Sequence, residues 1–292
     1  MRIAIFGMTF PENSKNYLQH LIKKIENENS QIIIEEQFFK SFKKNIRFNT
    51  QPLLFNDHES LKGNADYLIS IGGDGTLLKA TTYIRNSNIP IMGINTGRLG
   101  FISSISTDQI DAALTDLYKE NYKIDNRTLL EVTTSNELFG KQNFALNEVA
   151  VTKKDTSSMI KVDAYIDNEF LNSYWADGLI VSTPTGSTGY SLSCGGPIIM
   201  PHTGNIIITP IAQHNLNVRP IVVEDESTIK LKVVDRDDLA LISLDSRSRA
   251  FESSVEIIIK KAGFNIKLIN PNFNSFLSTV RNKLMWGIDK RN

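Results

Sequence analysis

The periodicity of apolar residues changes once along this chain, near Lys123, and that change limits the folds open to it. Before it, strand and helix patterns alternate. "RIAIFG" reads as a buried strand ending at Gly7. Leu18, Leu21, Ile22 and Ile25 then recur at helical spacing, with Ser14 placed as a cap. "QIIIEEQF" and "ADYLISIGG" read as the second and third strands, "TLLKATTYIRN" as the helix behind them, and "IPIMGIN" as the fourth strand. Ile110, Ala113, Leu114 and Leu117 mark a further helix. Strands alternating with helices pair in parallel, so residues 1–123 predict an α/β domain with an open, mostly parallel sheet.

Beyond Lys123 the runs are short and rich in Val, Ile and Thr: "RTLLEVTTS", "QNFALNEVAV", "MIKVDAYID", "DGLIVSTP", "NIIITPIA", "STIKLKVV", "LALISLD", "VEIIIKK" and "FNIKLIN". Helical spacing returns only in "NSFLSTVRNKLMW". Residues 124–271 therefore predict a β-rich, mostly antiparallel, sandwich-like domain. No Pro-, Gly- or Ser-rich linker separates the two parts.

Hydrophobic residues are 41% and charged residues 22% of the 292, a globular composition. Thirty-two basic residues match thirty-two acidic ones, so no global charge draws the chain to nucleic acid or an anionic membrane. Cys194 is the only cysteine, which fits a reducing compartment. The apolar part of "MRIAIFGM" is short for a secretion signal, and no apolar run approaches a membrane span. The expectation is a cytoplasmic protein with no nucleic-acid or membrane partner.

"LISIGGDGTLLKA" carries the densest chemistry of the first domain. It falls at the carboxyl end of a predicted parallel strand, where open α/β sheets bind ligands, as does "NTGRLGF". Glycines at 72, 73 and 75 let backbone N–H groups close on a phosphate, and a helix starting near Thr76 adds its positive end. A carboxylate there should repel phosphate. Asp74 is either a helix cap or, if a hydroxyl attacks the bound phosphoryl group, the base that orients that hydroxyl and takes its proton. Neither G-x-x-x-x-G-K-[ST] nor a G-x-G-x-x-G after the first strand is present. Of the four histidines, His20 and His58 read as surface residues, and His202 and His214 flank a strand.

"YWADGLIVSTPTGSTGYSLSCGGP" (residues 174–197) is the second dense region. Its small residues and hydroxyls suit a sugar or a purine edge. In "ALNEVAV", Asn147 and Glu148 interrupt an apolar strand, and adjacent strand residues face opposite ways unless a bulge intervenes. Asn suits an adenine edge and Glu a ribose diol.

"GGDGTLL", "NEVAV" and "DGLIVSTPTGSTGYS" followed by "GGP", in this order and spacing, resemble the NAD kinases over nearly the whole chain, with "NTGRLGF", "TPIA" and "RNKLMWG" also similar. The resemblance implies an α/β domain, a β-rich domain and a terminal helix, 272–292, packing back on the first. It implies transfer of the γ-phosphoryl of ATP to the 2′-hydroxyl of the adenosine ribose of NAD. A divalent ion, Mg²⁺, would accompany ATP, polyphosphate can replace ATP in some members, and the assembly would be a homodimer or homotetramer. By the same resemblance Asp74 is the proton acceptor, with Gly75 beside it. Asn147 and Glu148 bind the adenosine part, and Asp177 holds the nicotinamide half. Thr188, Gly189, Tyr190, Ser191, Leu192 and Ser193 wrap the substrate, and Ala212 is a strand contact. Gly72, Gly73 and Lys79 are the expected phosphate contacts. The metal ligands stay open.

Two positions depart from the family. Trp175 stands where many bacterial members carry a basic residue tied to choosing NAD over NADH, and it is expected either to stack on the nicotinamide ring or to fill core. Gly189 stands where alanine is usual, a change expected to alter packing slightly. A lipid kinase sharing "GGDG" and a non-catalytic nucleotide-binding regulator are the alternatives.

Overall fold

Ile3, Ala4, Ile5 and Phe6 are buried in succession, which makes β1 (Arg2–Gly7) a strand covered on both faces. The structure, a computed structural model, describes the chain except residues 12–13, 155–158, 216, 235–238, 274 and 287–292. The described chain divides into two compact units, one of residues 1–126 with 266–292 and one of residues 127–265.

In the first unit β1 is followed by α1 (Lys15–Asn27), β2 (Gln31–Glu35), α2 (Glu36–Phe42), β3 (Leu53–Phe55), α3 (His58–Leu61), β4 (Tyr67–Ile71) and α4 (Asp74–Ile84). Then come β5 (Ile91–Asn95), the short β6 (Ile105–Ser106) and α5 (Ile110–Tyr118). The strands run in the order β3-β2-β1-β4-β5, and every pair is parallel. The predicted apolar stripes are the core: Leu18, Leu21, Ile22 and Ile25 of α1 and Ile110, Ala113, Leu114 and Leu117 of α5 join one cluster with the sheet.

Two local expectations change. "QIIIEEQF" is not one strand. The Glu35 carboxylate accepts the Phe38 N–H at 2.7 Å and starts α2, which buries Phe38 and Phe42 one turn apart. Ser14 occupies the cap position of α1, but its hydroxyl accepts from Tyr17 Oη at 2.6 Å and caps no backbone N–H.

The chain continues through β7 (Tyr122–Thr134), β8 (Phe144–Ala145), β9 (Glu148–Lys153), β10 (Ile160–Ile166), β11 (Glu169–Ala176), β12 (Gly178–Ser182) and the four-residue α6 (Tyr190–Ser193). Next are β13 (Asn205–Ile211), β14 (Ile221–Glu224), β15 (Ile229–Val234), β16 (Leu239–Leu244), β17 (Arg247–Glu252) and β18 (Ile257–Pro271). In the second unit β14-β13-β12-β9-β16-β17 form one antiparallel sheet. Strands β11, β10 and β15 and the first residues of β18 pair antiparallel in another. Val149, Val151, Leu179 and Val181 of the first sheet share a core with Val162, Leu231, Ile257 and Ile259 of the second. This is the sandwich-like arrangement the alternation implied.

"VEIIIKK" and "FNIKLIN" were expected as two strands, but β18 runs through Gly263 without a break. In the first unit its Leu268 pairs in parallel with Ile91. The last helix, α7 (Phe276–Leu284), belongs to the first unit and starts with a reciprocal cap between Ser275 and Ser278. Residues 274 and 287–292 of the expected terminal segment lie outside the described residues. Among the described residues no helix is long and apolar enough to cross a membrane.

Candidate functional site

Gly72 follows β4 with φ +149°, and a Cβ there would lie 2.3 Å from Thr76 Oγ1. Only glycine makes this turn without moving the helix start. Helix α4 begins at Asp74 rather than near Thr76, with Gly73 at the cap position and no side-chain cap. Asp74 is therefore not the cap. Its carboxylate reaches instead to the loop after β5, where Oδ2 accepts Phe101 N–H at 2.8 Å and Oδ1 accepts Ile102 and Ser103 N–H at 3.2 and 2.9 Å.

That loop is tied down independently. Asn95 Oδ1 accepts Gly97 N–H at 2.8 Å, Asn95 Nδ2 donates to Ser103 O at 3.1 Å, and Ser103 Oγ donates to Gly72 O at 3.1 Å. A Cβ on Gly100 would stand 2.0 Å from Asp74 Oδ1, so glycine is what lets the carboxylate approach. Lys283 of α7 donates to Leu99 O at 2.9 Å, lies 4.6 Å from the centre of the Phe101 ring, and brings its ammonium to 3.9 Å from Asp74 Oδ2. Gly73 and Gly75 are exposed with open space where a Cβ would be. Lys79 is half-buried further along α4.

In the second unit Asn147 and Glu148 do not sit inside one strand. Strand β8 ends at Ala145 and β9 begins at Glu148, leaving Leu146 and Asn147 in the gap. The loop after β12 closes on this gap. Thr183 N–H donates to Asn147 O at 2.9 Å, its hydroxyl donates to Leu146 O at 2.6 Å, and a Cβ on Gly186 would be 2.1 Å from Asn147 O. Asn147 Oδ1 and Glu148 Oε2 are buried with no hydrogen-bond partner. Burial pushes the Glu148 carboxyl up to about 8, helped by the negative Asp245 and opposed by the Tyr190 backbone N–H. Gly189 faces both side chains, and a Cβ there would stand 2.9 Å from Glu148 Oε2.

The remaining predicted residues differ in what they offer. Asp177 is paired with Lys153 at 2.6 Å, and its N–H donates to Ile211 O at 2.9 Å. Ala212 follows β13 with φ +44° and is exposed, so it ends the strand rather than lying in it. Thr188 Oγ1 donates to Thr185 O at 3.2 Å. Ser191, expected to contact the substrate, is fully buried: its hydroxyl turns inward to Thr209 at 2.8 Å and its carbonyl accepts the N–H groups of Cys194 and Gly196 at 3.1 and 2.8 Å. Leu192 is half-buried, and Tyr190 and Ser193 are exposed. Trp175 is 53% exposed, which removes the core-filling alternative.

A model of the ATP-NAD kinase N-terminal domain matches residues 8–122, and one of the ATP-NAD kinase C-terminal domain matches residues 146–270. The chain belongs to the NAD kinase family. It is 47% identical to the NAD kinase of Christiangramia forsetii and 46% identical to that of Flavobacterium johnsoniae, over 100% of both chains in each case. The fold is that of yeast NADH kinase, solved with NADH, at a TM-score of 0.89 and 21% identity over 99% of this chain and 88% of that one. An NAD kinase from Archaeoglobus fulgidus, solved with ATP, matches at a TM-score of 0.74 and 26% identity over 98% of each chain.

Four residues of this NAD kinase fold escaped the sequence reading: Gly100, Lys153, Asp245 and Lys283. Gly100 lies in the quoted "NTGRLGF", but nothing in that string says which carboxylate needs its missing side chain. Asp245 accepts the N–H groups of Leu146, Asn147 and Glu148 at 3.0, 2.7 and 3.3 Å from about a hundred residues away. His58, expected at the surface, is buried with Nδ1 2.8 Å from Tyr83 O, whereas His20 is exposed beside Asp111 at 2.7 Å.

Proposed function

We propose that the chain transfers the γ-phosphoryl of ATP to the 2′-hydroxyl of the adenosine ribose of NAD, with Asp74 as the proton acceptor. The observation that carries this reading is the fixed Asp74 carboxylate beside an open glycine turn. An ionised carboxylate has about four lone-pair sites. Three are taken by Phe101, Ile102 and Ser103, and the side chain is still 26% exposed. The fourth is free for one hydroxyl, held in one direction. The ribose 2′-oxygen attacks phosphorus, the bond from phosphorus to the β-phosphate oxygen breaks, and ADP leaves. The hydroxyl proton passes to Asp74 and then to water. Late proton loss suits a base as weak as a carboxylate when the transition state is loose.

Gly73 and the start of α4 supply backbone N–H groups for the phosphates, with Gly75 against the substrate and Lys79 as a cation further along α4, whereas the N–H of Gly72, expected as a phosphate contact, donates to Ile94 O at 2.9 Å and leaves Gly72 to make the turn. Among the described residues no three histidine, cysteine or carboxylate groups converge. A divalent ion, magnesium by chemistry, would arrive on the phosphates of ATP with its own waters, as family membership supports. Bound there, it would shield the phosphate charge that repels an incoming hydroxyl.

Asn147 and Glu148 hold the adenosine part, since their buried, unpartnered oxygens need donors such as an adenine amine or a ribose hydroxyl. Asp177 takes the nicotinamide half. Tyr190, Ser193, Thr188, Leu192 and Ala212 complete the wrap, with the buried Ser191 holding the turn beneath them through Thr209. The exposed Trp175 offers its face to the oxidised, cationic nicotinamide ring, which favours NAD over NADH. Family membership supports a cytoplasmic homodimer or homotetramer, with polyphosphate as a second possible donor.

The test is NADP formation from NAD and ATP by the wild-type chain and by Asp74→Asn. The variant should retain the fold and both KM values while kcat falls by at least about 100-fold. Near-wild-type kcat would reduce Asp74 to an anchor for the 101–103 loop.

A further inference from the structure

Asp245 sits in the two-residue loop between Leu244 and Arg247, the closing pair of the β16–β17 hairpin, with φ +52°. Its side chain is 2% exposed. Oδ1 accepts Asn147 N–H at 2.7 Å and Glu148 N–H at 3.3 Å, and Oδ2 accepts Leu146 N–H at 3.0 Å. Asp245 N–H donates in return to Glu148 O at 3.0 Å. Leu146 and Asn147 lie outside any strand ladder, so these amides depend on Asp245 for an acceptor. Arg247, at the other end of the loop, donates to Gln142 O at 2.5 Å and to Phe144 O, and stands 3.8 Å from Asp245 Oδ2. One hairpin tip thus grips the backbone from 142 to 148.

The grip decides where two side chains point. Asn147 and Glu148 are consecutive, yet both carry a buried oxygen without a partner, and both border Gly189. Regular strand geometry would send them to opposite faces. The break between β8 and β9 lets them share one, and Asp245 is what holds that break.

We propose that Asp245 is a positioning residue for the acceptor substrate, fixing the backbone of Leu146–Glu148 so that Asn147 and Glu148 present their oxygens together to the adenosine part of NAD. The proposal rests on the NAD kinase reading of the same residues. Burial pushes the Asp245 carboxyl up, while the three amides and Arg247 oppose that shift.

Asp245→Asn and Asp245→Gly both tolerate positive φ. The first leaves one acceptor oxygen and the second leaves none. With both folded by circular dichroism, KM for NAD should rise about tenfold in Asn and further in Gly. KM for ATP should stay within about twofold and kcat within about threefold. A residue that merely supports the fold would not split the two substrates. Unchanged KM for NAD, an equal rise for both substrates, or failure of both variants to fold overturns the proposal while an active wild type keeps the NAD kinase reading. A wild type that does not turn over NAD overturns both.

Discussion

Asp74 in the first unit and Asp245 in the second each accept three consecutive backbone N–H groups, from Phe101–Ser103 and from Leu146–Glu148. Each has a cation just beyond hydrogen-bond range, Lys283 at 3.9 Å and Arg247 at 3.8 Å. Water access separates them: the Asp74 side chain is 26% exposed and that of Asp245 2%. With about four lone-pair sites per carboxylate, each clamp leaves one unspent. At Asp74 a ligand can reach it, and at Asp245 none can. On the proposed reading the same bonding serves a reagent in one carboxylate and a fastener in the other, and exposure, not hydrogen-bond count, is what separates the two.

Forcing a methyl against each cluster tests that distinction. A Cβ on Gly100 would meet Asp74 Oδ1 at 2.0 Å and Ser103 O at 2.9 Å, one atom of the clamp and one of its backbone. Neither can yield without opening the three-amide cradle. A displacement of about 1 Å in a reacting group costs on the order of 100-fold, so Gly100→Ala should lower kcat by about that much. On Gly189 the Cβ would meet Glu148 Oε2 at 2.9 Å, the far end of a side chain that can swing. Gly189→Ala should leave kcat within about twofold and act on KM for NAD alone. Equal kcat losses in the two variants would break the contrast between reagent and fastener.

The sequence carried Asp74 and the Asn147–Glu148 pair because their neighbours are informative. Three glycines around one carboxylate have few uses, and two polar residues in an apolar run demand a reason. Asp245 has no such neighbourhood. In "SLDSRSRA" it reads as an ordinary turn residue, and its partners lie 97 to 99 residues earlier. The same blindness to long-range partners hid Lys283, whose meaning depends on Leu99 and Phe101. Both fold classes were legible, since periodicity survives without tertiary knowledge. Helix α2 was not, because a run of Ile passes into Phe at helical spacing without a break, and the switch is made by one side chain, Glu35 on Phe38 N–H.

A smaller effect is expected from the residues that Asp245 positions. Asn147→Ala or Glu148→Ala removes one or two bonds to the acceptor and leaves the donor untouched. Losing such a bond costs about 1–2 kcal/mol, or roughly five- to thirtyfold in KM for NAD. KM for ATP should not follow. Steady-state kinetics with each substrate varied in turn decides it. A matched rise for ATP would make the pair structural and weaken the case that Asp245 serves the substrate through them.

The pH dependence of stability separates the second cluster from ordinary surface carboxylates by its sign. Asp57, Asp66 and Asp111 are held below their usual range by hydrogen bonds from Ser60, Arg2 and His20, so what they contribute is lost only in acid. Glu148 runs the other way. Burial, with Asp245 beside it, raises it from 4.5 to about 8. The unfolded chain gives up this proton near 4.5, while the folded chain keeps it to about 8. Between those values the folded state binds more protons, so stability falls as pH rises and levels off above about 8. The buried Asp245, also raised, adds to the same slope. Glu148→Gln cannot ionise and should flatten the curve, matching or trailing wild type at pH 5 and surpassing it at pH 8 by a few degrees, since about 1 kcal/mol moves the midpoint of a domain this size by about 2–4 °C. Melting midpoints of both proteins at pH 5, 6.5 and 8 are sufficient. A wild-type midpoint that holds steady or climbs across that window, with Gln running parallel, would mean that Glu148 is ionised in the folded chain. It would then meet the ribose as an acceptor only, and the orphaned Oε2 would need a donor all the more, without an O–H of its own to offer in return.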